Sequence, residues 1–158
     1  MTNGGTNFRG ELLLVQSGRG NLPPNVARVN PDSPFNSTVI LDNFFGRQFN
    51  SLNDVKIHPK SGKIFFTDVT LVDFLAFNSK LICINIELMF FSLLSLFLFP
   101  HFSSFRRYGF LNHFRFNPQL PNQVYRFDPD TGALRVVADG FDRCNGIAFS
   151  PDGNTAFV

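Results

Sequence analysis

The chain has 158 residues, of which 44% are hydrophobic and 16% charged, so its composition is that of a folded domain rather than of a disordered tail. Its 14 basic and 12 acidic residues leave a formal net charge of +2 without a Lys/Arg cluster, which argues against a nucleic-acid partner. Two cysteines are too few for a disulfide scaffold.

Residues 1–10 are polar and Gly-rich and lack the apolar core of a signal peptide. Secretion would therefore require a signal upstream, and the sequence does not predict the localisation. From residue 11 onward, short apolar runs alternate with Pro, Gly, Asn and Asp, which is typical of strands joined by turns. The predicted strands are 11–16, 26–29, 38–41, 55–57, 63–67, 124–127, 134–138, 147–149 and 155–158.

Two stretches of the chain repeat each other. Val-x-Arg-x-Asn/Asp-Pro-Asp begins at Val26 and again at Val124. Further along each stretch, Asn53 opens Asn-Asp-Val-Lys-Ile-His-Pro and Asn145 opens Asn-Gly-Ile-Ala-Phe-Ser-Pro. A recurring unit of four short strands predicts β-propeller blades, and a β-sandwich with two similar hairpins is the alternative.

The strand pattern breaks at residues 71–107, which contain eight of the 22 phenylalanines. Residues 81–99 are apolar except for Asn85, Glu87, Ser92 and Ser95, which fits a transmembrane helix in length and hydropathy. A membrane span inside a blade would separate two strands that must pair, so we interpret 71–107 as an interrupting insertion. There are three interpretations of this insertion: a translated intron, a genuine insertion of the protein, or a membrane-anchoring helix.

The sequence resembles the gluconolactonase/regucalcin-like (SMP-30-type) propeller family, and within it the fungal lactonohydrolases. The resemblance rests on residues 39–55, 66–68 with 108–109, 120–129 and 138–153, and its most specific part is the run around Asn53. Cys144 stands where the family usually has Pro. The resemblance implies an all-β fold, namely a partial six-bladed β-propeller of about two to three blades over residues 11–158, interrupted by an apolar insertion for which a helix is one option.

The resemblance also implies a metal site. Asn53 and Asn145 each lie just before an inner strand, and by match to the family motifs they help bind a catalytic divalent metal, expected to be Ca²⁺, or its substrate. Amide oxygens are hard donors of the kind that Ca²⁺ takes. Asp54, Tyr108 and His113 are candidates for the substrate channel, although Asp54 is equally suited to orienting its loop.

Two other polar residues are expected to be structural. The carboxylate of Asp68 is predicted to accept hydrogen bonds from backbone N–H groups in a turn. His58 lies in a predicted hairpin turn and is expected to be solvated or bonded to backbone.

The implied activity is the hydrolysis of sugar-acid or related lactones, by attack of water on a metal-polarised carbonyl. The partner is therefore a small-molecule lactone, whose identity the sequence does not give, and the oligomeric state is equally open. The family's acidic ligand from its first inner strand and its later Asp are not found here, so the chain is expected to be an inactive fragment. A non-catalytic propeller that binds ligands, or a protein anchored in a membrane through 81–99, are the alternatives.

Overall fold

The computed structural model describes residues 1–19, 21–69 and 120–158. This part of the chain contains β-strands and no α-helix. The strands are β1 Thr2–Phe8, β2 Glu11–Gln16, β3 Asn25–Val29, β4 Ser37–Leu41, β5 Asn43–Phe44, β6 Arg47–Gln48, β7 Leu52–Ile57, β8 Ile64–Asp68, β9 Gln123–Phe127, β10 Leu134–Ala138, β11 Ala148–Phe149 and β12 Ala156–Phe157.

The first four strands form one antiparallel sheet in the order β1-β2-β3-β4, which we call the first blade. The predicted strands begin at residue 11, so β1 was not predicted, and neither were the short strands β5 and β6. Gly4 and Gly5 make this segment look like a loop, yet it pairs with β2 from Thr2↔Gln16 to Phe8↔Glu11. Glycine inside a strand often marks a close approach of another backbone, and β1 lies along β7 of the next sheet.

The second blade is the antiparallel sheet β7-β8-β9-β10. Its two middle strands pair from Ile64↔Phe127 to Asp68↔Gln123, so the strands that flank the interruption are direct neighbours. The predictions for 71–107, including the helix at 81–99, concern residues outside the described part of the chain. Among the residues that are described, no helix is long and apolar enough to cross a membrane.

Two shorter hairpins complete the described strands. β11 pairs with β12 as the beginning of a third blade, and β5 pairs with β6 in the connection from the first blade to the second. Each of the nine predicted strands overlaps an observed one.

The core lies between the blades, because successive strand residues face opposite sides of a sheet. Ile64 and Phe66 of β8 belong to the apolar cluster shared with the first blade. The Phe66 ring stacks on Tyr125 at 5.3 Å and meets Phe49 edge-on at 5.4 Å. Phe65 faces the other way and contacts Phe149 of the third blade at 5.0 Å. The sheets thus stack face to face, as blades do.

Candidate functional site

Asn53 lies in an irregular part of β7. The pairing of β7 with β8 shifts between Leu52↔Asp68 and Val55↔Phe66, so that Asn53 and Asp54 form a bulge. Bulges bend a strand and change the direction of side chains, and they are common beside functional sites. Asn53 is half-buried, and no hydrogen bond of its side chain occurs within the described ranges.

The hydroxyl group of Thr67 links this bulge to Asn145. The hydroxyl oxygen accepts a hydrogen bond from the backbone N–H of Asp54 at 3.1 Å, and the O–H donates one to the backbone oxygen of Asn145 at 2.6 Å. Thr67 is fully buried, whereas Asn145 is exposed in the loop before β11. The backbones that carry Asn53 and Asn145 therefore meet at one end of two successive blades.

The carboxylate of Asp54 is engaged on both of its oxygens. Oδ1 accepts the backbone N–H of Val55 at 2.8 Å and pairs with Lys56 Nζ at 2.8 Å. Oδ2 accepts the backbone N–H of Ile147 at 3.1 Å, across the interface with the third blade. Of the two roles considered for Asp54, these contacts favour the orienting role over the role in the substrate channel.

Gly4 of the first blade makes room for this carboxylate. A methyl group built on Gly4 would come within 2.6 Å of Asp54 Oδ1 and 2.7 Å of the backbone oxygen of Asn53, which real structures do not tolerate. On the opposite side, a methyl group on Gly146 would lie 3.9 Å from Oδ2, an ordinary contact. The position of Asp54 therefore requires a glycine at residue 4 but leaves room for a methyl group at residue 146.

Asp68 has the structural role that the sequence predicted. Its two carboxylate oxygens accept the backbone N–H groups of Asn50 at 2.9 Å and Ser51 at 2.7 Å, in the turn that precedes β7. Burial raises the pKa of Asp68 to about 7, against the opposing effect of these two N–H groups.

The remaining side chains considered in the sequence analysis do not join this site. His58 donates from Nε2 to the backbone oxygen of Gly153 at 2.8 Å, since its Nδ1 accepts the N–H of Ser61 at 3.1 Å. The prediction of a backbone-bonded His58 is therefore confirmed. Tyr108 and His113 lie outside the described residues.

Cys144 is buried beside Asn145. Its thiol lies 3.1 Å from the backbone oxygen of Asp68, a distance at which it donates a hydrogen bond. Burial raises the pKa of the Cys144 thiol to about 11, so the group is protonated at neutral pH.

The donors available for a metal are amides rather than carboxylates. Within the described ranges no group of three or more His, Cys, Asp or Glu side chains is placed to hold a metal ion. The side chains of Asn53 and Asn145 offer hard oxygen donors of the type that Ca²⁺ accepts, but only two of the six to eight it takes. The donor chemistry fits Ca²⁺, and further oxygens must come from elsewhere.

Thr67, Ser17 and Asn3 were not predicted to take part in the site. The hydroxyls of Thr67 and Ser17 bond across blade interfaces, which a local pattern does not show. Asn3 did carry a signal, because Asn3-Gly4 repeats the dipeptide Asn145-Gly146.

Known proteins that resemble this chain are lactone hydrolases. It is 49% identical to the lactonohydrolase oryH of Aspergillus oryzae over 41 residues, which are 26% of this chain and 9% of that protein. It is 25% identical to the lactonohydrolase oryL of the same organism over 161 residues, covering 98% of this chain and 28% of that protein. A gluconolactonase of Zymomonas mobilis is 28% identical over 123 residues, covering 77% and 24% of the two chains. In the two longer alignments the chain spans about a quarter of its relative.

A solved structure supports the fold. A gluconolactonase of Xanthomonas campestris superposes with a TM-score of 0.62 and 24% identity, over 98% of this chain and 38% of that protein. No family model matches the chain. The predicted fold class is confirmed: the described part is all-β and forms part of a propeller like that of gluconolactonases. In fold and in sequence, the chain resembles the SMP-30/gluconolactonase family, lactonohydrolases of fungi included.

Proposed function

We propose that this chain carries part of the site of a calcium-dependent lactonohydrolase, with Asn53 and Asn145 as two of the metal ligands. The observation that carries the proposal is the Thr67 hydroxyl, which bonds to the backbone at Asp54 and at Asn145 and so fixes the two asparagine-bearing segments side by side. The lactonohydrolase and gluconolactonase relatives supply the reaction class.

Each residue of the site has a task in this proposal. The amide oxygens of Asn53 and Asn145 face a cation, while Asp54 and Thr67 hold their backbones in register. A bound divalent cation supplies Lewis-acid polarisation of the lactone carbonyl. The carboxylate that assists the attacking water is not placed at this site by the described residues.

A non-catalytic binding propeller is the second candidate. It is favoured by one observation: the carboxylate closest to the two asparagines in sequence, Asp54, is bonded on both of its oxygens to backbone and lysine groups. Such a protein would bind a cation or a sugar acid without hydrolysing it.

The test is a calcium titration of the whole chain by isothermal calorimetry, followed by an assay of acid release from D-glucono-1,5-lactone. Asn53→Ala and Asn145→Ala should each weaken Ca²⁺ binding by about tenfold or more, the effect of losing one strong ligand. Asn36→Ala, an exposed loop asparagine, is the matched control and should change nothing. Calcium affinity that is indifferent to both site variants would overturn the proposal. Acid release would exclude the non-catalytic binding propeller, whereas calcium binding without acid release is the result expected of both candidates, because the described residues do not place the assisting carboxylate at this site.

A further inference from the structure

Asn3 occupies in β1 the position that Asn53 occupies in β7. Both strands pair with the next strand through the same irregularity: Thr2↔Gln16 is followed by Gly5↔Leu14, and Leu52↔Asp68 is followed by Val55↔Phe66. The two residues skipped in each strand are Asn3-Gly4 and Asn53-Asp54. Asn3 and Asn53 therefore stand at equivalent places in two successive inner strands, and Asn145 lies in the loop before the next one, β11.

The side chain of Asn3 is anchored to the segment that carries Asn53. Its Nδ2 donates to the Ser17 hydroxyl at 3.3 Å, and that hydroxyl donates to the backbone oxygen of Leu52 at 3.0 Å. Ser17 is fully buried, whereas Asn3 is exposed. The anchor uses one N–H of the amide, so one N–H and the oxygen Oδ1 remain for a ligand.

The absence of a side chain at Gly4 brings the two strands together. The backbone oxygen of Asn53 would lie 2.7 Å from a methyl group at Gly4. A ligand held at Asn53 is consequently within reach of the neighbouring strand that carries Asn3.

We propose that Asn3 is a substrate-binding residue of this site and hydrogen-bonds a hydroxyl group of a polyhydroxylated lactone. An amide that offers both a donor and an acceptor matches a hydroxyl group, which needs both, whereas a metal ion would use the oxygen alone. This inference rests on the proposed function and adds a contact from the preceding blade to the substrate.

The experiment uses the whole chain and two probes, Ca²⁺ and D-gluconolactam, a lactam that keeps the hydroxyl groups of the lactone but resists hydrolysis. Binding of each is followed by ¹⁵N NMR titration, in which the side-chain amide signal of Asn3 is identified by its loss in Asn3→Ala. In the presence of Ca²⁺, the variant should bind the lactam about tenfold more weakly, as expected for one lost hydrogen bond, with the Ca²⁺ affinity unchanged.

Asn7→Ala, which removes an exposed asparagine from the same strand, is the control for general effects on β1 and should bind both probes normally. Ser17→Ala removes the anchor but keeps the Asn3 amide. It should therefore weaken the binding of the lactam less than Asn3→Ala does.

The outcomes separate this inference from the proposed function. Unchanged lactam binding in Asn3→Ala, together with weakened Ca²⁺ binding in Asn53→Ala, would overturn the inference and leave the proposed function in place. Weakened Ca²⁺ binding in Asn3→Ala would make Asn3 a metal ligand and overturn its assignment to the substrate. If the unmodified chain binds neither probe, both proposals fail.

Discussion

Asp54 of the second blade lies directly against Gly4 of the first, so closely that a methyl group on Gly4 would come within 2.6 Å of the Asp54 carboxylate. The same carboxylate reaches the backbone N–H of Ile147 in the third blade. One side chain therefore contacts both neighbouring blades at the end where the candidate ligands lie.

This relationship predicts that Gly4→Ala is strongly destabilising. The new methyl group would meet the backbone oxygen of Asn53 and the Cα atom of Asp54 at 2.7 Å, and neither belongs to a flexible side chain. Overpacking of this kind costs about 1–3 kcal/mol or more in the free energy of unfolding. Urea denaturation followed by circular dichroism measures it.

Gly146→Ala is the matched control for Gly4→Ala. Its methyl group would make only an ordinary contact at 3.9 Å, so the change in unfolding free energy should stay within about 0.5 kcal/mol. Equal effects of the two substitutions would show that β1 and β7 are not in close contact.

Thr67→Val should weaken both the fold and the candidate metal site. Valine keeps the shape of threonine but leaves the Asp54 N–H and the Asn145 backbone oxygen without their shared partner. The expected cost is about 1–3 kcal/mol of unfolding free energy. Calcium affinity should fall as well, because the two asparagine-bearing segments lose their link, and calorimetry would measure that fall.

Thr67→Ser keeps the hydroxyl and loses only a methyl group. It should retain the calcium affinity of the unmodified chain even though it loses some packing energy, about 1 kcal/mol. Calcium binding that drops as much in the serine variant as in the valine variant would contradict the bridging role of the hydroxyl.

Asp68 should make the chain less stable as the pH rises from about 4 to 7. Burial raises the pKa of this carboxyl from 3.8 to about 7 in the folded chain. Between these values the folded chain keeps a proton that the unfolded chain has released, so the free energy of unfolding falls with increasing pH. The full contribution of such a shift is about 4 kcal/mol.

The measurement is the difference in unfolding free energy between the unmodified chain and Asp68→Asn at several pH values. Asparagine does not titrate. The unfolding free energy of the unmodified chain minus that of the variant should therefore fall steadily from pH 4 to pH 7 and level off above it. Asp139→Asn, at an exposed carboxylate, is the control. A difference that stays constant across this range would disprove the assignment to Asp68.

Deletion of residues 71–107 should leave the two-blade core intact. We propose that this stretch is a translated intron, and the pairing of β8 with β9 supports the proposal, because the strands on either side of it are neighbours in one sheet. Joining residue 70 to residue 108 should preserve the β-sheet circular dichroism signal and the calcium affinity. Sequencing of the transcript across this stretch is the independent check. A shortened chain that fails to fold, together with a transcript that retains the stretch, would identify 71–107 as a genuine part of the protein.

The strands and turns could be read from the sequence because they depend on local chemistry. Apolar residues alternate within each run, and Pro and Gly fix the backbone angles between runs, as at Gly62 and Gly132, which both have positive φ. The role of Asp68 was also accessible, since a carboxylate beside a turn readily accepts backbone N–H groups. The repeat of Asn53 by Asn145 predicted equivalent positions in successive blades.

Contacts between blades were decided only by the tertiary structure. The strand β1 was missed because glycine weakens a strand by itself and is favoured here by the close approach of β7, more than 40 residues away in sequence. The roles of the Ser17 and Thr67 hydroxyls could not be predicted from sequence either, because their hydrogen-bond acceptors belong to the following blade. The sequence by itself determined nine of the twelve described strands, their repeat and the amide character of the candidate ligands. Their assembly at one end of the stacked sheets depends on distant backbones meeting, which only the packing of one blade on the next can specify.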